Sequence, residues 1–353
     1  MHLGAFQHPR AQYPTEGLGV KFLATLLLMV LILGGGVAFL IYAPVGPPQG
    51  TPDRSATYVD ISPGRGTRGI AQELEKAGVI RSRYAFELLR LFKGGRLIAG
   101  DYRFNHPAPA TEVYDRVRRG DVYTIPITIP EGFNIFDIAQ TIAGAGIADR
   151  DSILDAERKE TSLISDLSPN APSLEGFLFP DTYRLTRHST PLQIVTAMVR
   201  RFRQVSTQLN LKGSGRSVAE TVTLASLVEK EVAHPSERPL VAGVFVNRLE
   251  HKIPLATDPS VIYAALLNNR YRGTIYQSDL QADSPYNTYR RTGLPPGPIC
   301  NPGMAALKAA ISPAHTDYLY FVADAQGHSQ FSSTLAEHAR QVQQYRHAIH
   351  ESH

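Results

Sequence analysis

Residues 22–45 read FLATLLLMVLILGGGVAFLIYAPV, twenty-four residues without a charge, and the chain holds no second stretch like it. About 20 apolar residues in a helix cross a hydrocarbon core. The run divides the chain into a tail of residues 1–21, a membrane span and a polar body of about 300 residues. No small-residue cleavage motif follows it, so a retained anchor fits better than a removed signal peptide. Gly34, Gly35 and Gly36 would weaken a soluble helix but are tolerated in a bilayer, where the backbone has no other partner. Outward from this run, the tail carries His2, His8, Arg10 and Lys21 against Glu16. Positive charge on that side keeps the N-terminus in the cytoplasm and places the body outside, in a periplasm or beyond a cell membrane.

Residues 46–57, GPPQGTPDRSAT, have the composition of a tether. Beyond it the chain repeats itself. ISPGRGTRGIAQELEKAGVI (61–80) is echoed by IPEGFNIFDIAQTIAGAGI (129–147). Each copy predicts a strand, a Pro/Gly turn and a short helix. Ile70, Leu74 and Ala77 recur as Ile138, Ile142 and Ala145 on one helical face. Gly78 and Gly146 stand where a left-handed cap would end each helix. Two copies are too few for a solenoid. Residues 85–121 between them read as helix, strand, helix, making 58–122 a compact α/β module and 123–348 a second, mixed α+β domain.

In that second domain helices are expected at about 191–209, 217–233, 237–251 and 303–311, and strands at 318–323 and 328–331. The loop 285–303, PYNTYRRTGLPPGPICNPG, is longer than a connection requires, a common mark of function. A single cysteine, Cys300, excludes an intramolecular disulfide, so burial must hold the body together. The net charge of +4 is spread along the chain, and neither basic runs nor zinc-finger spacing indicate a nucleic-acid site.

The helix at 217–233 holds the leading candidate for chemistry. Residues 229 and 231 point about 200° apart on a helix, so Glu229 and Glu231 cannot share a site. Leu224, Leu227 and Val228 form an apolar stripe whose next position is Glu231, with Glu229 on the polar side. A carboxyl that continues a buried stripe is desolvated and keeps its proton near neutral pH, as a general acid requires. The alternative is a solvated glutamate at a helix end stopped by Pro235. Glu231 and His234 have Glu-x-x-His spacing, but no second copy supplies further ligands. His-Glu-x-x-His, a Cys pair and Gly-x-Ser-x-Gly do not occur, so neither a metal nor a serine nucleophile is indicated, and no cofactor is expected. Glu175–Tyr183 combines aromatics with Glu175 and Asp181, a composition that suits either a sugar platform or a core.

Taken in order, SLEGFLFPDTY (173–183), TLASLVEKEV (223–232), SERPLVAGVFVNRL (236–249), LATDPSVIYA (255–264), YNTYRRTGLPPGPICNPG (286–303), DYLYFVA (317–323) and GHSQFSSTLAEH (327–338) form a specific set. Over about residues 58–345 the chain resembles the endolytic murein transglycosylases, the YceG-like family of membrane-anchored peptidoglycan-cleaving enzymes. The resemblance implies a LysM-like module followed by a catalytic domain. It also implies cleavage of the β-1,4 bond between N-acetylmuramic acid and N-acetylglucosamine, leaving 1,6-anhydro ends. The family's essential glutamate maps to Glu231, with Glu229 the weaker choice. Substrate contacts are assigned to Glu175, Asp181, Glu229, Asn247, Asp258, Tyr286, Asn287 and Tyr289 because each lies in a family motif. The implied partners are glycan strands and peptidoglycan synthases, and the implied role is to end glycan elongation. The C-terminal helix, 334–350, reads as merely polar, with no added ligand-binding domain. Two competing readings remain: a non-catalytic glycan-binding scaffold, and a muramidase-type hydrolase with Asp258 as second carboxylate.

Overall fold

The computed structural model describes residues 16–47, 56–232, 234–324 and 326–351, and divides into two units, 1–124 and 125–353. The tail residues His2, His8 and Arg10 and most of the expected tether lie outside the described residues.

The first unit opens with α1, Glu16–Tyr42. Its Gly19–Tyr42 segment is long and apolar enough to span a membrane. The helix starts before the apolar run and stops before Pro44, whose ring cannot continue it. The end of the run is not handed straight to a free tether. Ile41 is buried in the module's core, Val37 and Leu40 pack against that core, and Val45 forms an antiparallel bridge with Ala108.

The module itself runs β1 (Thr57–Ile61), α2 (Thr67–Lys76), α3 (Arg83–Lys93), β2 (Gly100–Phe104) and α4 (Ala110–Arg119). β1 and β2 pair antiparallel, with Val59 opposite Tyr102. Their inward side chains meet Leu74, Phe86, Val113 and Tyr114 in one apolar core.

The second unit begins with the other copy of the repeat, β3 (Ile125–Thr128) and α5 (Ile135–Gly144). The two helix ends match closely. Ala77 and Ala145 are both right-handed at ψ −5°, and Gly78 and Gly146 follow at φ +71° and +70°. There a residue with a Cβ would be strained, so the expected left-handed caps are present. The helix starts differ: α2 follows Gly66 without a side-chain cap, whereas Asn134 and Asp137 form a capping box at α5.

The remaining elements are α6 (Arg150–Lys159), β4 (Thr182–Leu185), α7 (Pro191–Gln208), α8 (Val218–Glu231), α9 (Arg238–Glu250), α10 (Asp258–Leu267), α11 (Gln277–Leu280), α12 (Met304–Ile311), β5 (Tyr320–Ala323), β6 (Ser329–Ser332) and α13 (Leu335–Glu351). β4 returns to pair with β3, and β5 with β6, both antiparallel. α8 is the axis of this unit, packed by α9, α10 and α12. The chain is therefore α+β, with an N-terminal helix able to span a membrane and small antiparallel sheets edging a helical core.

Candidate active site

α8 starts at a capping box, in which Ser217 Oγ accepts from the Glu220 amide and Glu220 accepts from the Ser217 amide. Every residue from Thr221 to Val228 is buried, so the expected single apolar stripe with a polar side is corrected. A helix surrounded by others has no solvent face for its middle turns. Charged side chains return only in the last turn, at Glu229, Lys230 and Glu231. The helix then stops, because Val232 is extended at φ −117°, ψ 120°.

Two residues apart, the glutamates enter different surroundings. Glu229 has only 5% of its side chain exposed. Its Oε1 lies 2.6 Å from Arg238 Nη2, and its Oε2 accepts from the Gly303 amide at 2.9 Å. Glu131 approaches the same Arg238 at 4.0 Å and faces Gly303 so closely that a Cβ there would strike its carboxylate. Burial, with Glu229 beside it, raises the Glu131 pKa. Glu229 thus belongs to an ion-paired clasp joining α8, α9 and the end of the 285–303 loop.

Glu231 is half-buried and lies within electrostatic reach of Asp258 and Arg248. Burial raises its pKa to about 7; the negative charge of Asp258 adds to the shift and Arg248 opposes it. Asp258 opens α10 and is exposed, and its Oδ1 accepts from the Tyr289 hydroxyl at 2.6 Å. Two residues before it, Ala256 takes a left-handed φ of +51°, an unusual conformation for a side-chain-bearing residue. Hydrogen bonds tie that turn to the long loop: Ala256 N to Thr288 O at 3.0 Å and Thr257 N to Thr288 Oγ1 at 2.9 Å. Arg248 is fixed by backbone carbonyls, with Nε on Leu319 O at 2.6 Å and Nη1 on Leu255 O at 2.8 Å. Sequence reading selected Asn247 and passed over Arg248, the next residue; both follow the buried turns of α9. Only the fold distinguishes which of the two faces Glu231.

Of the residues assigned to substrate, Asp258 and Tyr289 stand with Glu231, and the others do not. Glu175 is in the core, its Oε2 accepting from the Ile135 amide at 3.0 Å and its Oε1 from Asn301 Nδ2 at 2.9 Å. Burial lifts its pKa to about 8. Phe177 and Phe179 are buried beside it, which makes this motif core rather than an open sugar platform. Tyr286 is buried against Tyr263, with ring centroids 5.1 Å apart. Asn287 is fully buried. Its amide donates to Leu280 O and Ala282 O while its Oδ1 accepts from the Tyr289 amide, so it braces the loop that carries Tyr289. Asp181 pairs with Arg201 Nε at 2.6 Å. Asn247 donates to Thr316 O and Tyr318 O, and lines a cleft of about 740 Å³ whose walls do not include Glu231. Cys300 is buried with its thiol pKa pushed up by burial, a poor nucleophile. No group of three metal-ligating side chains occurs among the described residues.

A half-buried carboxyl with a pKa raised to about 7 beside an anchored carboxylate has the chemistry that an acid–base group requires. Compared with known proteins, residues 59–344 match the YceG-like family. The chain belongs to that family. It is 35% identical over 334 residues to a Bacillus subtilis (strain 168) protein named endolytic murein transglycosylase, covering 89% of this chain and 91% of that one. A Streptococcus pneumoniae (serotype 2, strain D39) protein of the same name is 30% identical over 318 residues, which are 81% of this chain and 58% of the relative. Among solved structures, a yceG-like protein of Listeria monocytogenes aligns with a TM-score of 0.56 at 30% identity, covering 81% of this chain and 99% of that one.

Proposed function

We propose that this YceG-like protein is an endolytic murein transglycosylase whose acid–base group is Glu231. The observation that carries the assignment is the Glu231 environment: a carboxyl half-buried at the end of α8, protonated to about pH 7, beside Asp258 and Arg248. Its likeness to relatives named for this activity supports the substrate class.

In the proposed reaction, Glu231 gives its proton to the glycosidic oxygen leaving as the N-acetylglucosamine 4-hydroxyl. The bond to muramyl C1 breaks through an oxocarbenium-like state. The Glu231 carboxylate then takes the proton of the muramyl 6-hydroxyl as that oxygen bonds to C1, which closes the 1,6-anhydro ring and restores the acid. No water is consumed and no cofactor takes part. One carboxyl suffices because the substrate carries its own nucleophile, unlike the paired-carboxylate hydrolases. A positioned acid–base group contributes about 10²–10⁴ in rate, and positioning and electrostatics supply the remainder. Burial, helped by the negative charge of Asp258 that Tyr289 tethers, keeps Glu231 protonated, and that same charge would stabilise the cation that develops at C1.

α1 serves as a retained single-pass anchor in the cell membrane, with the N-terminus cytoplasmic and the body on the wall side. Its uncharged stretch from Phe22 to Tyr42 supports this reading. The first unit is a LysM-like glycan-binding module. Its β1–α2–α3–β2 order supports that view, as does a cleft of about 580 Å³ lined by Ser62, Gly64, Arg65, Arg96 and Leu97. Cutting nascent strands beside peptidoglycan synthases would end their elongation.

A second reading draws on the same cluster: Asp258 faces Glu231, as the second carboxylate of a hydrolase would. Mass spectrometry of peptidoglycan digested by the full-length chain in detergent, with Glu231→Gln alongside, separates the readings. Ends lighter by one water, absent with the variant, support transglycosylation. Reducing ends mean hydrolysis with Asp258. Cleavage by neither protein, with nascent uncrosslinked strands also supplied, leaves the scaffold.

A further inference from the structure

α3 has two apolar faces where a helix packed on one side needs only one. Ala85, Phe86 and Leu89 are buried in the core of the first unit. On another face Tyr84, Leu88, Leu91 and Phe92 follow at i, i+4, i+7 and i+8, which aligns them in one stripe. Leu88 is half-buried, while Tyr84 is 65%, Leu91 77% and Phe92 79% exposed. Leu91 and Phe92 are more exposed than Phe22, which at 73% is the most exposed large apolar residue of α1 among the described side chains. A contiguous apolar stripe of this kind on a water-soluble surface marks a contact.

What covers it follows from its attachment to α1. α1 packs against both α3 and α4. Arg81, two residues before α3, places its guanidinium over the Phe39 ring at 5.0 Å and donates to Pro44 O at 3.0 Å. With Ile41 buried in the core and Val45 bridged to Ala108, the module is held to the last turns of the apolar helix. The 24 residues from Gly19 to Tyr42 span about 36 Å at 1.5 Å each, against a hydrocarbon core of about 30 Å. The turn that carries Val37, Leu40 and Ile41 therefore lies at the outer edge of the hydrocarbon, and α3 lies against that turn. Arg83 and Arg90 flank the stripe, with stems long enough to reach lipid phosphates. Tyr84 is of the residue type that settles at such an interface.

We propose that α3 is an interfacial helix that seats Tyr84, Leu91 and Phe92 in the headgroup–acyl boundary of the bilayer that α1 crosses. This rests on α1 being a retained anchor. The seating gives the module a second membrane contact and so restricts its rotation about the end of α1.

The test uses the full-length chain with Cys300→Ser, reconstituted in phosphatidylethanolamine–phosphatidylglycerol vesicles. An environment-sensitive fluorophore is placed singly at Leu91→Cys, Phe92→Cys, Leu28→Cys or Gln72→Cys. Leu28 reports on the span, and Gln72 is an exposed α2 position outside the stripe. The expected result is blue-shifted emission at 91 and 92, loss of iodide quenching, and quenching by shallow nitroxide lipids at a depth of about 5–10 Å. The label at 72 should behave as if in water, and that at 28 should respond to deep nitroxides. Iodide quenching at 91 and 92 with lipid quenching at 28 overturns the proposal while leaving the anchor intact. Shielding at 91 and 92 from both quenchers also overturns it, since protein such as a second copy would then cover the stripe. Absence of lipid quenching at 28 overturns the anchor, and the interfacial helix with it.

Discussion

Glu175 and Glu231 are both carboxyls lifted far above their ordinary pKa by burial, to about 8 and about 7, yet they do opposite work. Around Glu175 each carboxyl oxygen has a partner in the core, and 3% of the residue meets solvent. Glu231 keeps part of its surface exposed, the charges that act on it are those of Asp258 and Arg248, and the helix that carries it has just ended. A raised pKa therefore does not by itself mark a reactive group. Acid–base chemistry needs access as well, and of the two only Glu231 is partly exposed.

The largest way to break this contrast is Glu231→Gln. It should lower the rate by about 10²–10⁴ while leaving the melting temperature close to that of the parent chain, as read by product release and thermal unfolding. Retained activity would return Glu231 to the status of an ordinary helix-end residue.

Glu229→Gln should do the reverse. Arg238 would lose its buried charge partner, which costs about 3–5 kcal/mol in stability; Glu131, 4.0 Å away and half-exposed, favours the lower end. Urea unfolding measures the cost, and acid–base chemistry at Glu231 should survive in whatever fraction stays folded.

Glu175→Gln sharpens the comparison through pH. Folding raises the Glu175 pKa from an ordinary 4.5 to about 8. Stability from its neutral form is complete below about pH 4.5 and is lost as pH rises through about 8. The amide cannot ionise, so the variant should lack that alkaline loss, on the order of a few kcal/mol, with activity retained. Parallel stability–pH curves for the two proteins would refute the role given to this carboxyl.

Asp258→Asn should have the smallest effect. Loss of its charge lowers the Glu231 pKa, so the alkaline limb of activity, expected near pH 7, should move to lower pH by less than about one unit. A limb that stays in place would mean that Asp258 does not face the acid.

Local features were legible in advance. The repeated Ala-Gly ends of α2 and α5 fold as left-handed caps because such a cap is decided within one turn of helix. The 200° separation of Glu229 and Glu231 needs only helical geometry. The special standing of the loop 285–303 was legible from its length, and it proves ordered: Ile299 N donates to Ser226 Oγ, and Asn301 reaches both Glu175 and the Leu178 amide. α10 went unforeseen because its buried faces leave no amphipathic period to detect. Glu229 was placed on a polar side because its partners, Arg238 and Gly303, lie 9 and 74 residues along the chain. Asn287 carried a family motif but not its role, since a buried amide that braces a loop and one that binds sugar look identical in one dimension.

By itself, then, the sequence determined the uncharged span, the paired strand–turn–helix copies, the absence of a disulfide and the membership carried by seven ordered motifs. These depend on composition and on neighbours within a turn or two. The tertiary structure decided which glutamate is clasped and which is free, and that Asp258 and Tyr289 meet across 31 residues. It also decided that the apolar span ends inside a folded module. Those outcomes depend on desolvation and on partners brought together only by packing, and a carboxyl's chemistry is set by both.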